Sequence, residues 1–290
     1  MRDLELLQTH PLLAAYSTVL IIGGIVAMIT AIVRYPKQSR LGFPGVHPWA
    51  LRTPDFILFG CLFLVWYIFA SSIAATLAER LTPDGEEPSV FLIAAANLCL
   101  HGGLMVLFWR WRDLHRTTDE RNLNTHQLSF WQALGTGAFC LFAAYPLVLG
   151  IAIGWEALLN VGKQAGLSIN LAPQQAIELF QETTDPLAYI SLALIAVVVA
   201  PIAEELIFRA GFYRWFLGKF GRLSATILSG LIFGFVHGHL LGFVPLAALG
   251  MLFCIAYEVS GNLKVPIIMH ALFNLNTLIL LLLTRDVVAG

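Results

Sequence analysis

The sequence predicts an all-α protein, a polytopic membrane bundle of about eight transmembrane helices. Hydrophobic residues make up 58% of the chain and charged residues only 12%, whereas soluble domains carry about 25% charged residues. The mean hydropathy is +0.77, and apolar stretches of about 18 residues or more recur along the chain. Since lipid offers no hydrogen bonds to the backbone and the stretches lack the alternation of a β-barrel, they are predicted to be helices.

Eight such stretches follow one another along the chain, and the seventh is the shortest. We place them at about residues 12–33, 55–78, 89–109, 129–155, 187–208, 223–241, 243–259 and 265–283. Between the fourth and fifth, "APQQAIELFQETTDP" begins near Pro173 and ends at Pro186, which predicts a short interfacial helix. A helix on the surface of the bundle is favoured there over a lid. We expect residues 1–186 to form the first four spans and this outer loop, and residues 187–290 to form the catalytic core of a single membrane domain.

The lysines and arginines orient the predicted bundle. Residues 34–52, 110–121 and 209–222 each carry four of the 17 basic residues. All three segments fall on the same side of the predicted membrane, and basic loops are typically cytoplasmic. Both termini are therefore expected outside, and the pattern favours a bacterial inner membrane. No cleaved signal peptide is expected, because the first residues lack a basic segment and a small-residue cleavage site.

Composition excludes some other classes of function. A net charge of −1 gives no bulk attraction to nucleic acid. The four cysteines all fall inside predicted spans without CxxC spacing, so neither a redox motif nor a cysteine metal site is indicated. The partners expected are the lipid bilayer and a membrane-associated substrate.

Two adjacent glutamates follow the apolar residues of the fifth span. Glu205 and Arg209 are four residues apart, so they share one face of a helix and are expected to form a buried ion pair. Glu204 points about a third of a turn away and lacks that partner. A histidine of a neighbouring helix is the natural candidate, and a carboxylate in low-dielectric surroundings is suited to act as a general base.

The later spans supply histidines at membrane depth. His270 and Asn274 are again four apart and share a face, where both can donate hydrogen bonds to a developing oxyanion. His237 lies in the sixth span, whereas His239 is expected to face away from it at the interface. A second pair in the third span, Asn97 and His101, is expected to make interhelical hydrogen bonds, with no chemical role assigned.

These residues resemble the motifs of a known family. "APIAEELIFRAGF" resembles the EExxxR motif of the Abi-like CAAX protease and bacteriocin-processing (CPBP) intramembrane proteases, which include the eukaryotic prenyl-protein endopeptidases. The family's FxxxH motif matches Phe233–His237, and its HxxxN motif matches His270–Asn274. The resemblance covers about residues 187–283. One departure is visible, since the glycine that usually follows the motif arginine is displaced to Gly211.

The resemblance implies an endopeptidase that cuts within or near the membrane. It implies that Glu204 and His237 activate a water, that His270 and Asn274 stabilise the oxyanion, and that Glu205 and Arg209 support the helix. No cofactor is favoured, because asparagine is a rare zinc ligand. If the chemistry depends on zinc, the ligands would be Glu204, His237 and His270. The substrate is expected to be a membrane-associated peptide or protein, prenylated or not.

Two other functions stay open from the sequence. The same scaffold would also serve a catalytically inactive binding or immunity protein, and Glu/His relays also occur in proton-coupled transporters. Transporters usually show repeated halves, and no internal repeat is visible in this chain.

The predicted spans contain one geometric conflict. They place Glu204 near the cytoplasmic end of the fifth span but His237 and His270 in the outer third of theirs, a separation of roughly 10–15 Å along the helix axes. Either the fifth span begins later, with Arg209 inside the bundle, or the sixth and seventh spans tilt or break. We favour the first.

Overall fold

The computed structural model describes residues 10–41, 45–83, 88–115, 123–171 and 174–288, and these residues form helices and connecting segments without a strand. Pro173 and parts of the first two basic segments lie outside the described residues. The helices before the EExxxR motif are α1 (Pro11–Leu41), α2 (Thr53–Leu81), α3 (Val90–Leu114), α4 (Phe130–Gln164) and the short α5 (Gln175–Glu182). The last two are α9 (Leu240–Ser260) and α10 (Lys264–Val288).

Between α5 and α9 the chain forms one helical run in five pieces. They are α6 (Pro186–Leu194), a first π-helical segment (Ile195–Val199), α7 (Ala200–Glu205), a second π-helical segment (Leu206–Tyr213) and α8 (Arg214–Val236). At about 1.5 Å per residue the 51 residues would extend about 77 Å, far more than the roughly 30 Å of a bilayer core. The run therefore has to reverse.

The reversal occurs at Gly221, whose φ of 77° lies in the left-handed region that favours glycine. On the returning limb, the Ser229 hydroxyl donates to the carbonyl of Phe208 at 3.2 Å, and the rings of Phe208 and Phe233 meet edge to face at 5.4 Å. The predicted fifth and sixth spans are thus the two limbs of this run.

Seven helices among the described residues are long and apolar enough to cross a membrane, and the reversing run counts as one of them. The fold class predicted from the sequence, a polytopic helical bundle, is therefore confirmed. Its lipid-facing character is visible in large apolar side chains that lie on the outside, such as Ile29, Leu64 and Phe235.

The returning limb α8 packs very closely on α9. A Cβ at Gly230 would lie 2.6 Å from the Ala247 carbonyl oxygen, and one at Gly234 would lie 2.5 Å from that of Phe243. The GxxxG spacing therefore lets the two backbones approach directly, as it does in other membrane helix pairs. This close approach brings α9 against the second π-helical segment.

A short helix is present where the sequence predicts one between the fourth and fifth spans. In α5 the side chain of Phe180 is buried against Leu192 and Leu278, and its ring meets that of Tyr189 at 5.2 Å. This end of the bundle is therefore covered by packed apolar side chains.

Candidate functional site

The site is built around the ion pair of Glu205 and Arg209, both of which are fully buried. Arg209 Nη1 donates to Glu205 Oε1 at 3.0 Å, and Nη2 donates to the carbonyl of Gly250 on α9 at 3.0 Å. The guanidinium lies between the rings of Phe233 and Phe253, at 4.5 and 4.9 Å from their centroids. The pair predicted from the four-residue spacing is present, and Arg209 lies inside the bundle and not in a loop.

His270 on α10 joins the two adjacent carboxylates. Its Nδ1 lies 3.0 Å from Glu205 Oε1, and its Nε2 lies 3.9 Å from Glu204 Oε2. Since an ionised carboxylate only accepts hydrogen bonds, Nδ1 carries a proton and donates it to Glu205. The ring also stacks on Phe253 at 4.9 Å, which fixes its plane. His270 is therefore held by Glu205 while its other nitrogen faces Glu204.

Glu204 faces two imidazoles without a direct hydrogen bond to His270. His101 Nε2 lies 3.7 Å from its Oε1 and His270 Nε2 lies 3.9 Å from its Oε2, distances longer than a normal hydrogen bond. Oε2 is buried and has no hydrogen-bond partner among the described residues. The carboxylate is therefore left with acceptor capacity that neither ring uses directly.

The conflict in depth predicted from the spans does not occur, because the predicted end of the fifth span was wrong. The helical run does not stop near residue 208. It continues through the second π-helical segment, whose eight residues are all buried. Glu204 and Glu205 therefore lie well inside the bundle, beside His270. The span begins at Pro186, close to its predicted start, so the explanation that it begins later is wrong.

His237 lies at the end of α8. Its Nδ1 contacts the Phe233 carbonyl at 2.7 Å, and its ring lies 4.7 Å from the Phe233 ring. Because a carbonyl only accepts, Nδ1 carries the proton and the Nε2 lone pair points away from the helix. Within the part of the chain that the structure describes, no hydrogen bond or ion pair joins this ring to Glu204, whose ring contacts are with His101 and His270.

His239, two residues on, has a different environment. Its Nδ1 accepts the Gly242 backbone N–H at 3.0 Å and so caps the first turn of α9. Burial, together with the nearby His237, holds the pKa of His239 below its usual value. A neutral ring is what this capping bond requires.

Asn274 supports the helix in which Glu204 lies. Its Nδ2 donates to the Ala196 carbonyl at 2.7 Å. In the π register each carbonyl accepts from the fifth residue on, as Ile195 does from Ala200. The fifth residue after Ala196 is Pro201, which has no N–H. The asparagine replaces the missing donor, and its second amide N–H remains for other partners.

Replacing Asn274 with alanine is expected to lower the free energy of unfolding by about 1–2 kcal/mol, because the part-buried Ala196 carbonyl loses its donor. The loss should be smaller in a Pro201→Ala background, where a backbone N–H can serve that carbonyl. Reversible unfolding in detergent micelles measures both.

Thr277→Val is the matched control for this change, because the bond described for Thr277 is to the Phe273 carbonyl of its own helix, at 3.1 Å. We expect the control to change stability by less than about 0.5 kcal/mol. An equal loss from Asn274→Ala in both backgrounds would show that Pro201 is not the cause of the contact.

His101 was not predicted to belong to the site. Asn97 does not make the interhelical bond expected of it, since its amide donates to the Ile93 carbonyl of its own helix at 2.9 Å. His101 does reach another helix and faces Glu204. A signal was present in the sequence, because an intramembrane histidine in an otherwise apolar span is unusual, but nothing in the sequence showed which helix it would face.

A mostly apolar cavity of about 230 Å³ lies between α3, the helical run and the start of α10. Its lining includes Met105, Ile202, Leu206 and Ile267, together with the polar Asn124 and Lys264. Glu204 does not line it, because Ile202 and Leu206, two residues before and after it, lie on the other side of the helix. The lining suits an apolar side chain.

The zinc alternative finds no ligand set in this arrangement. Within the described ranges, no three side chains of His, Cys, Asp or Glu are grouped in a way that could hold a metal ion. Zinc requires ligand atoms at about 2.0–2.2 Å from one point for histidine and carboxylate.

Comparison with known proteins agrees with the motifs. Residues 186–276 match the family described as type II CAAX prenyl endopeptidase Rce1-like. A Bacillus subtilis (strain 168) protein named "Putative membrane peptidase YdiL" is 31% identical over 83 residues, which cover 29% of this chain and 34% of that protein. No solved structure matches at comparable significance.

The chain thus aligns with about a third of the length of the curated relative that it matches. The predicted resemblance to CAAX-type membrane peptidases is confirmed for this segment. Glu204, His237, His270 and Asn274 lie inside it, whereas His101 lies outside it.

Proposed function

We propose that the protein is an intramembrane endopeptidase that hydrolyses a peptide bond in a membrane-associated peptide or protein. The observation that carries this proposal is the partnerless oxygen of Glu204, which is buried and faces the Nε2 atom of His270 across 3.9 Å. A water that reaches the carboxylate beside these rings would meet a base in Glu204, and His270 can support the reacting carbonyl.

The hydrolysis follows from these positions. Glu204 takes a proton from the water as the water oxygen bonds to the scissile carbonyl carbon, and the carbonyl electrons move to its oxygen. The oxyanion would be bound by the second amide N–H of Asn274 and by His270, which donates from Nε2 when that atom also carries a proton. When the C–N bond breaks, the proton held by Glu204 passes to the leaving nitrogen.

His237 is proposed to assist Glu204 in water activation. Its ring orientation is fixed by the Phe233 carbonyl, which leaves the Nε2 lone pair to accept from a water. Glu205 and Arg209 are proposed to hold the site in place. Glu205 binds Arg209 and His270, and Arg209 also donates to the Gly250 carbonyl.

The substrate would present an apolar residue to the 230 Å³ cavity that Ile202, Leu206 and Ile267 line. We propose that it reaches the site from the membrane, with or without a lipid. The basic segments support a location in a bacterial inner membrane with both termini outside, since an even number of crossings returns the chain to its starting side.

The test is a comparison of membrane-protein C-termini and released peptides in cells that carry wild type or Glu204→Gln. We expect a set of cleaved products that are present with the wild type and absent with the variant. The masses of their ends also show whether a lipid is attached. Glu79→Gln, which changes an exposed carboxylate on α2, is the control and should give the wild-type set. Identical products from wild type and Glu204→Gln would contradict the proposal and would favour a binding or immunity function.

A further inference from the structure

We propose that His101 is a further catalytic residue, which binds the attacking water together with Glu204 and accepts its proton. This inference rests on the proposed peptidase function and extends its site to α3, outside the segment that matches the family. It assigns chemistry to a helix for which the motifs predict none.

The tautomer of His101 is determined by its own helix. Nδ1 lies 2.8 Å from the Asn97 carbonyl oxygen, which can only accept, so the neutral ring carries its proton on Nδ1. Nε2 then presents a lone pair, and it lies 3.7 Å from Glu204 Oε1. Two acceptors face each other, and neither can donate to the other. A water beside both can donate one hydrogen to each, which leaves the lone pairs of its oxygen free for attack.

The position of His101 is held by the packing of α2 on α3. Trp66 Nε1 donates to the carbonyl of Leu100 at 2.9 Å. A Cβ at Gly103 would lie only 2.0 Å from the Trp66 ring, so only glycine fits there. The side chains of His101 and Glu204 are 12% and 18% exposed, which leaves the pair largely shielded but accessible to a small molecule. The packing of Trp66 on α3 therefore fixes the position of His101, while its Nε2 atom faces the Glu204 carboxylate.

The proposed step balances without any further reactant. One O–H bond of the water breaks, its proton goes to the His101–Glu204 pair, and the water oxygen forms a bond to the carbonyl carbon. When the tetrahedral intermediate collapses, the same proton passes to the leaving nitrogen as the C–N bond breaks. With two bases on one water, the proton can be taken up by either and delivered by the one nearer the leaving group.

A purely structural histidine would need only its Nδ1 bond to the Asn97 carbonyl. Two substitutions separate the two roles. In His101→Asn the amide nitrogen can take the place of Nδ1 and keep that bond, but no group remains at the position of Nε2. In His101→Gln a polar atom can reach the position of Nε2, yet an amide does not accept a proton.

The matched control is His115→Asn on the same helix. Nδ1 of His115 contacts the Trp111 carbonyl four residues back at 3.0 Å, the same bond to the helix that His101 makes. No glutamate contact is described for its Nε2. This variant should keep the wild-type kcat and KM.

The experiment measures kcat and KM of the purified, vesicle-reconstituted full chain on a fluorogenic peptide that carries the cleavage sequence found in wild-type cells. We expect kcat to fall about 10²-fold in both His101→Asn and His101→Gln, with KM within about twofold and an unchanged unfolding temperature. If one of the two variants fails to fold, the kcat of the other shows whether His101 takes part in catalysis.

A kcat within about twofold of wild type in His101→Asn, with Glu204→Gln inactive in parallel, would overturn the role of His101 and leave the proposed peptidase intact. Full activity of His101→Gln would overturn proton acceptance by this ring. Full activity of Glu204→Gln would instead remove the proposed function on which the inference rests.

Discussion

Glu204→Gln is expected to reduce the rate of peptide hydrolysis by purified protein about 10³-fold, within the range that a general base contributes. The amide keeps the shape of the side chain but cannot take a proton from water. Because Oε2 of Glu204 is buried and accepts no hydrogen bond from the residues that the structure describes, replacing the charge should leave the unfolding temperature unchanged or raise it. Steady-state kinetics in reconstituted vesicles, with thermal unfolding in parallel, measures both effects.

Glu205→Gln makes the matched comparison, because it is the same change one residue along. Its carboxylate accepts from Arg209 and from His270, both at 3.0 Å. Neutralising it leaves the buried guanidinium without its counter-charge, so this variant should lose stability. A stable, inactive Glu205→Gln protein together with an active Glu204→Gln protein would reverse the roles assigned to the two residues.

Arg209→Met is expected to cost about 3–5 kcal/mol of unfolding free energy, the range for breaking a buried ion pair by removing one partner. The change keeps an unbranched side chain between Phe233 and Phe253 but leaves the Glu205 carboxylate fully buried without a cation. It also removes the donor to the Gly250 carbonyl. Equilibrium unfolding in micelles or bicelles measures the loss.

Arg52→Met is the control for the arginine substitution. Arg52 pairs with Asp55 at 2.7 Å, but its side chain is 83% exposed, so its loss should change the free energy of unfolding far less than the loss of Arg209. Equal effects of the two substitutions would show that the buried pair does not stabilise the bundle more than a surface one.

Spacing within one helix predicted several features of the site because residues four apart always share a face. Glu205 and Arg209 pair for that reason, and Glu204 was left pointing elsewhere, toward imidazoles. Hydropathy likewise located the membrane helices, including both limbs of the reversing run. These predictions needed only the geometry of a regular helix.

What the sequence did not predict depends on contacts between helices and on irregular backbone. Nothing in residues 90–114 indicates that His101 faces Glu204, because that contact depends on how α3 packs beside α7. The π-helical segments are not visible in hydropathy, so neither the missing donor at Pro201 nor its replacement by Asn274 was expected. The fifth span was ended too early because Arg209 was counted as a loop residue, whereas its charge is neutralised inside the bundle.

The bond from Asn274 to the Ala196 carbonyl also bears on how the molecule can open. If α10 slid or rotated against the first π-helical segment, the Ala196 carbonyl would lose its donor. No backbone N–H could replace it, because the residue at that position is Pro201. That boundary is therefore stiff, and the Arg209 bond to Gly250 stiffens the boundary with α9 in the same way. On the side of α3, the described residues make no direct hydrogen bond to the Glu204 carboxylate, because His101 Nε2 lies 3.7 Å from its Oε1. The described hydrogen bonds therefore hold the site more firmly on its α9 and α10 sides than on its α3 side.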